Sequence, residues 1–264
     1  MSRVVIIGGG HAGANTAFAL RKDGFDGDIN IFCDESHLPY HRPPLSKDFL
    51  KQKVEEDKLS FKSAEFYNDQ NISVHLNTRV NSIDLESNKV GSDDASFDFD
   101  YLVFATGAIP RLLPMENADA ENLFYLRDIS DVLSLQKLTT SGKKIVLVGG
   151  GYIGLEVASA MIEMGLEVTI LEAEDRILKR VTSPELSKFY DDYHSKMGVE
   201  IICSAKVSEL IADSQNISTV GLESGEKIVA DIILVGIGAI PNIQLAESIG
   251  LKCDNGIKTD QFCR

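Results

Sequence analysis

The sequence is poor in the residues that the simplest binding chemistries require. It has four cysteines, Cys33, Cys203, Cys253 and Cys263, none at CxxC spacing and none with a histidine at metal-ligand distance along the chain. That excludes a thioredoxin-type dithiol and a zinc ribbon, and suits reduced thiols in a cytoplasmic protein. Basic residues are scarce, with 26 Lys plus Arg against 40 Asp plus Glu and a formal charge of −14. A nucleic-acid surface or an anionic membrane needs clustered Lys and Arg, so neither is expected as a partner. Long apolar runs are also missing. Val4–Ile7 is too short for a signal h-region and breaks directly into glycine, and no stretch has the length to span a bilayer. The remaining composition, 44% hydrophobic and 25% charged over 264 residues, is that of a globular chain of one large or two medium domains.

What is present is an internal repeat. Residues 4–13 read VVIIGGGHAG and residues 145–154 read IVLVGGGYIG; residues 100–110 read DYLVFATGAIP and residues 231–241 read DIILVGIGAIP. The first pair are β-branched runs that end in glycine and open a helical pattern; the second pair are apolar strands that end in Gly-Ala-Ile-Pro. One plan is used twice. In the first copy the pattern predicts strand 3–7, a helix over 11–22 and strand 29–33; in the second, strand 145–148, a helix over 152–164 and strand 168–172. Later strands are expected at 72–76 and 199–203, with antiparallel meanders over 80–100 and 206–230. Alternating strands and helices predict an α/β fold: two Rossmann-like dinucleotide-binding domains with parallel sheets and small antiparallel β-meanders. The first copy is longer around 34–62, where Pro39-Tyr40-His41-Arg42-Pro43-Pro44-Leu45-Ser46-Lys47 predicts a fixed loop before a short helix.

Each copy carries GxGxxG between strand and helix, Gly8, Gly10 and Gly13 in one and Gly149, Gly151 and Gly154 in the other. The first glycine permits the tight turn, the second removes a Cβ that would block a pyrophosphate, and the third lets helix and strand approach. The helix N-terminus then offers free N–H groups and its positive dipole end to the phosphates. About 20 residues on, a carboxylate is needed for an adenosine ribose. In the first copy Asp34 is preferred, with Glu35 beside it as competitor. In the second it is Glu172, followed by Ala173, Glu174 and Asp175, an acidic surrounding that selects NADH over NADPH although Arg176, Lys179 and Arg180 follow. Glu156 falls in the first turns of the second helix, on the side expected to face the nucleotide.

The segments PYHRPPLSK (39–47), FATGAIPR (104–111), GGGYIGLEVA (149–158) and GIGAIPN (236–242) together resemble the FAD-dependent ferredoxin reductases that serve bacterial oxygenases, within the pyridine nucleotide-disulfide oxidoreductase superfamily. The resemblance implies an FAD-binding domain over 1–112 plus 237–264 and an NAD-binding domain over 113–236. It implies that the first glycine motif, with Ala12 and Asp34, holds the ADP half of FAD. Lys47 would lie against the flavin near its reactive nitrogen, stabilising negative charge as hydride arrives, and Arg42 would support that loop. Val80 and Arg127 would touch FAD, and Thr106 and Gly107 would bring a strand end close to it. The second motif, with Tyr152, Ile153 and Glu172, would bind NADH, and Gly238 is counted with the nucleotide-binding residues. Glu156 would pair with Lys47 or hold the nicotinamide end, so that Lys47 and Glu156 are the catalytic candidates.

Disulfide reductases of the superfamily carry CxxxxC after the second strand, thioredoxin reductases carry CxxC, and peroxidase and oxidase relatives a single redox cysteine near the flavin; this chain has RPPLSK instead, and Cys33 is expected to face the core. Without a thiol relay, electrons should leave the flavin singly, to a [2Fe–2S] ferredoxin or alternatively a rubredoxin. An NADH oxidase or quinone-type reductase, and a non-catalytic nucleotide-binding module, are the competing expectations. In the resemblance the GIKTD segment (256–260) is followed by a strand, a Gly-Asp turn and a C-terminal domain. Residues 1–264 alone are therefore expected to hold FAD weakly or not at all and the NAD domain to be intact.

Overall fold

A computed structural model describes residues 2–93 and 95–264. The chain divides into two compact units. Met1–His41, Glu56–Ile109 and Ile240–Arg264 form the first; Arg42–Glu55 and Pro110–Ala239 form the second.

The first unit is a four-stranded parallel sheet in the order β3-β2-β1-β7, with β1 Arg3–Ile7, β2 Asp28–Phe32, β3 Ile72–His75 and β7 Tyr101–Phe104. Strand β1 is central and β-branched throughout its buried length, as a strand covered on both faces must be. Its side chains alternate between two cores. Val4 and Ile6 pack with Ala17 of α1 (His11–Lys22) and Tyr67 of α2 (Ala64–Asp69). Val5 and Ile7 pack with Val80, Val90 and Phe99 around the antiparallel meander β4 (Ser82–Asp84), β5 (Lys89–Gly91) and β6 (Ser96–Asp98). Helices therefore cover one face and a meander the other. Two short strands, β8 (Ala108–Pro110) and β17 (Ala239–Pro241), mark where the chain passes between units, and α6 (Gln244–Ser248) follows the second.

The second unit repeats the plan. Five parallel strands run in the order β12-β11-β10-β16-β9, with β9 Leu123–Phe124, β10 Lys144–Val148, β11 Glu167–Leu171, β12 Glu200–Ile202 and β16 Ile232–Val235. Helices α3 (Ile129–Gln136), α4 (Tyr152–Glu163) and α5 (Pro184–Lys196) belong to it, as does the antiparallel meander β13 (Val207–Asp213), β14 (Asn216–Leu222) and β15 (Lys227–Val229). Strands β2 and β11 end one residue earlier than their apolar runs suggest. The next amides, of Cys33 and Glu172, still bond across to His75 and Ile202, but there the chain turns away and the ladder stops.

Residues 42–55, expected within the first domain, group with the second unit. Their bonds there are polar: Lys47 pairs with Glu156, and Lys51 and Lys53 with Glu163, both acids on α4, while the Gln136 amide donates to the Phe49 carbonyl.

One buried polar residue ties the second unit together. Asn122 is 3% exposed; its amide donates to the carbonyls of Ile217 and Asp231 and its oxygen accepts from the Ile217 N–H, at 2.7, 2.9 and 2.8 Å. Removing it strands three main-chain groups of β14 and the approach to β16. Asn122→Ala is expected to destabilise the protein by about 3 kcal/mol, read as a lower denaturation midpoint at unchanged m-value. Among the described residues, no helix is long and apolar enough to cross a membrane.

Candidate functional site

Strand β1 leads to α1 through Gly8-Gly9-Gly10, and β10 to α4 through Gly149-Gly150-Gly151. Gly8 and Gly149 have φ of 115° and 111°, and a Cβ on either would lie 2.1 or 2.5 Å from the carbonyl oxygen of Ala105 or Gly236. Only glycine fits. A Cβ on Gly13 or Gly154 would sit 1.9 or 2.3 Å from the carbonyl of Gly8 or Gly149, so these permit helix and strand to touch.

Gly10 and Gly151 are different. Both are extended, at φ −79° and −83°, and a Cβ on either would meet nothing within 4 Å. The fold does not require glycine at these two positions. They are also the N-caps of α1 and α4, which have no side-chain cap bond and no acid in the first turn. The chain caps its other substantial helices with side chains: Ser63 on α2, Asp128 with Asp131 in a capping box on α3, Ser183 on α5. Two helices thus present open amides and an uncompensated positive dipole end over a surface cleared of side chains, which is what a diphosphate needs.

In the second unit the turn opens on a groove of about 740 Å³, lined by Gly149–Ile153, Glu172, Lys179, Arg180 and Gly238 among others. The Glu172 carboxylate is aimed by main-chain donors, accepting from the Gly150 N–H at 2.7 Å and the Glu174 N–H at 2.9 Å. The neighbouring cations are largely engaged. Lys179 pairs with Glu174 and Asp175 at 2.8 and 3.2 Å. Arg176 donates to the Ser187 hydroxyl and, at 3.1 Å each, to the carbonyls of Lys179 and Thr182. Gly238, at φ 119°, accepts from the Arg111 N–H at 3.0 Å and lies beside Arg180. Tyr152 and Ile153 are half exposed on the groove wall.

In the first unit the repeat places a different side chain at the strand end. Ile7 is paired with Phe32 as Val148 is with Leu171, so Cys33 occupies the position of Glu172. Cys33 is buried against Gly9, and burial pushes its thiol up to about 12. The carboxylates come one and two residues later. Asp34 is exposed, whereas Glu35 accepts from the Tyr40 hydroxyl at 2.5 Å; the freer carboxylate is Asp34. Thr106 donates to the Asn242 carbonyl at 2.6 Å, Gly107 takes φ 66°, and Val80 is committed to core packing.

The segment after the prolines carries the charged pair. Pro43–Ser46 is a 3₁₀ turn, and Lys47, next after it, places its Nζ 2.6 Å from Glu156 Oε2. Of the two roles expected for Glu156, the structure shows the pairing with Lys47. Arg42 donates to the Arg127 carbonyl at 2.8 Å, and the Arg127 N–H to Asp131 at 2.7 Å; Arg127 also lines the groove.

A model of the pyridine nucleotide-disulphide oxidoreductase family matches residues 2–264. The chain belongs to that family. It is 39% identical over 262 residues to the rubredoxin-NAD(+) reductase of Ectopseudomonas oleovorans, covering 98% of this chain and 68% of that protein. It is 40% identical over 260 residues to a putidaredoxin reductase of Pseudomonas putida, covering 96% and 62%. The covalent putidaredoxin reductase–putidaredoxin complex superposes with a TM-score of 0.94 at 38% identity, over 97% of this chain and 63% of that one. The chain thus spans roughly two-thirds of the length of these relatives, 62–68%.

Within this family member, sequence patterns located both glycine turns and Glu172, and the family resemblance gave the Lys47–Glu156 pairing as one of two roles for Glu156. They missed Ser46, which shares the Glu156 carboxylate, and Glu163, which anchors Lys51 and Lys53. The latter had a signal: Glu156 and Glu163 are seven residues apart and share a face of α4. Hydrogen bonds from Lys53 and then Lys51 hold Glu163 down at about 2. Because its folded value lies below the ordinary 4.5, the anchor is complete above about pH 4.5 and is lost as pH falls towards 2. Amide protection over residues 48–53, taken relative to the intrinsic exchange rate at each pH, is expected to fall across that window, and Glu163→Gln to show the lowered protection already at pH 6.

Proposed function

We propose that this chain handles both nucleotides of a flavoprotein reductase, taking hydride from NADH to FAD and passing single electrons to a [2Fe–2S] ferredoxin or rubredoxin that serves an oxygenase. The supporting observation is the pair of uncapped, side-chain-free helix starts, one per unit, where α2, α3 and α5 are capped by side chains. Gly10 and Gly151 fit a diphosphate because nothing in the protein occupies the space their Cβ atoms would take. The first turn, with Ala12 and Asp34, would hold the ADP half of FAD; the second, with Glu172, would hold NADH. FAD, when bound, supplies the change from two-electron to one-electron transfer. Glu172, held by two amides, would accept from both ribose hydroxyls and repel a 2′-phosphate, and the engagement of Arg176 and Lys179 elsewhere favours NADH over NADPH. Lys47 is the residue assigned to the flavin, with Glu156 as its partner. The names of the relatives, reductases of rubredoxin and putidaredoxin, support the acceptor class.

An absorption spectrum of the protein supplied with FAD, recorded anaerobically with and without NADH, tests the reading. Flavin absorbance that bleaches with NADH and returns on adding an oxidised [2Fe–2S] ferredoxin is expected. A protein that binds NADH but takes up no flavin even at excess FAD would move the reading to the non-catalytic nucleotide-binding module, flavin that is bound but not bleached by NADH would refute it, and rapid oxygen consumption without any iron–sulfur protein would move it to the oxidases.

A further inference from the structure

Ser46 has no part in the assignments above, yet it is the most buried polar residue of its segment, at 5% exposure. Its Oγ donates to Glu156 Oε2 at 2.5 Å, the same oxygen that Lys47 reaches at 2.6 Å. Consecutive residues thus place two donors on one carboxylate oxygen. The Pro43 carbonyl is a second and longer acceptor for both, 3.5 Å from Ser46 Oγ and 3.4 Å from Lys47 Nζ, so the carboxylate oxygen is the nearer partner of each.

The two donors are unequal. Ser46 is closed into the 3₁₀ turn, and a hydroxyl on one rotatable bond has little choice of partner. The Lys47 ammonium rides on a four-carbon stem with its side chain about half exposed. The carboxylate they share is the less exposed partner, at 34%. If Lys47 were its sole donor from the protein, moving the ammonium would leave a carboxylate that is 34% exposed to water alone, with nothing to hold its position. With Ser46 in place one charge-assisted bond persists whatever Lys47 does.

We propose that Ser46 is a positioning residue: it keeps Glu156 bonded when Lys47 leaves it, so that the ammonium is exchangeable between Glu156 and the redox cofactor. The inference rests on the assignment of Lys47 to the flavin and deepens it. Ser46 then acts only through Lys47, which gives the test its form. Ser46→Ala, Lys47→Gln and the double variant are prepared with FAD. Flavin midpoint potential, the first-order rate of reduction by NADH and the NADH dissociation constant are measured for each. Ser46→Ala is expected to slow reduction about tenfold, the scale of one charge-assisted hydrogen bond. It should shift the potential in the same direction as Lys47→Gln and leave the NADH dissociation constant within about twofold. In the Lys47→Gln background it should change neither rate nor potential further. Where Ser46→Ala does not fold, Ser46→Cys, a weaker donor of similar size, is read in its place and should give an intermediate rate. A wild-type rate and potential in Ser46→Ala or Ser46→Cys, or a further loss in the double variant, overturns the proposal while the flavin reading stands. A wild-type protein that, loaded at excess FAD, holds flavin that NADH does not reduce overturns both.

Discussion

Gly151→Asp should leave the protein folded, and by a few tenths of a kcal/mol more stable, while removing its affinity for NADH. The two effects have opposite signs because they come from different parts of the same turn. Gly151 is extended and its Cβ direction is open to 4 Å, so an L side chain costs nothing in backbone strain or contact. It is the N-cap of a helix with no side-chain cap, and Asp is among the best residues for that position. The same carboxylate would occupy the place proposed for the diphosphate and satisfy the amides meant for it. Two like charges about 4 Å apart repel by about 4 kcal/mol at an effective dielectric of 20, so the NADH dissociation constant should rise about a thousandfold. Calorimetric titration with NADH alongside thermal unfolding reads both. Unchanged NADH affinity would show that this turn binds no diphosphate. Gly10→Asp makes the parallel test for FAD on α1, which has the same uncapped, unobstructed start.

Glu172→Arg should exchange NADH preference for NADPH preference, with a swing in the affinity ratio of about a thousandfold. Removing the carboxylate forfeits hydrogen bonds from both ribose hydroxyls, and the guanidinium supplies a bidentate partner for a 2′-phosphate. The position is well prepared, since Glu172 lies immediately beyond β11 and lines the groove. Two of the cations that follow are poorly placed to assist. Lys179 is paired with Glu174 and Asp175, and Arg176 is tied to Ser187 and two carbonyls. Adding Glu174→Ala, which frees Lys179 from one partner, should increase the swing. Dissociation constants for both nucleotides, measured without turnover, decide the matter; a ratio that does not move would displace the ribose from Glu172.

Much of this was legible in the sequence because its determinants are local. A β-branched run ending in GxGxxG specifies strand, turn and helix within about twenty residues, and the repetition of that run 141 positions later announced a second unit. The meanders were readable for the same reason, from short strands with turn residues between them. Elements with weaker local signals escaped: β9 has two residues, and α3 and α5 lie in stretches without a glycine fingerprint. The two strand ends lie one residue earlier than their runs suggest in both copies, so Cys33 and Glu172 stay level with each other. Once the strands are aligned by their hydrogen bonds, the first copy is seen to place a buried thiol where the second places its carboxylate, and Asp34 would serve only by lying one residue further on.

By itself the sequence determined the two glycine turns, their parallel strands and the acid that follows the second, since a turn, an apolar strand and a spacing are properties of neighbouring residues. Only the tertiary structure decided that residues 42–55 join the second unit, that Glu156 turns to Lys47, and that Ser46 shares the same oxygen. Those partners stand about 110 residues apart in the chain, and no local pattern encodes a distance that exists only after helix α4 and the proline-bounded loop have packed.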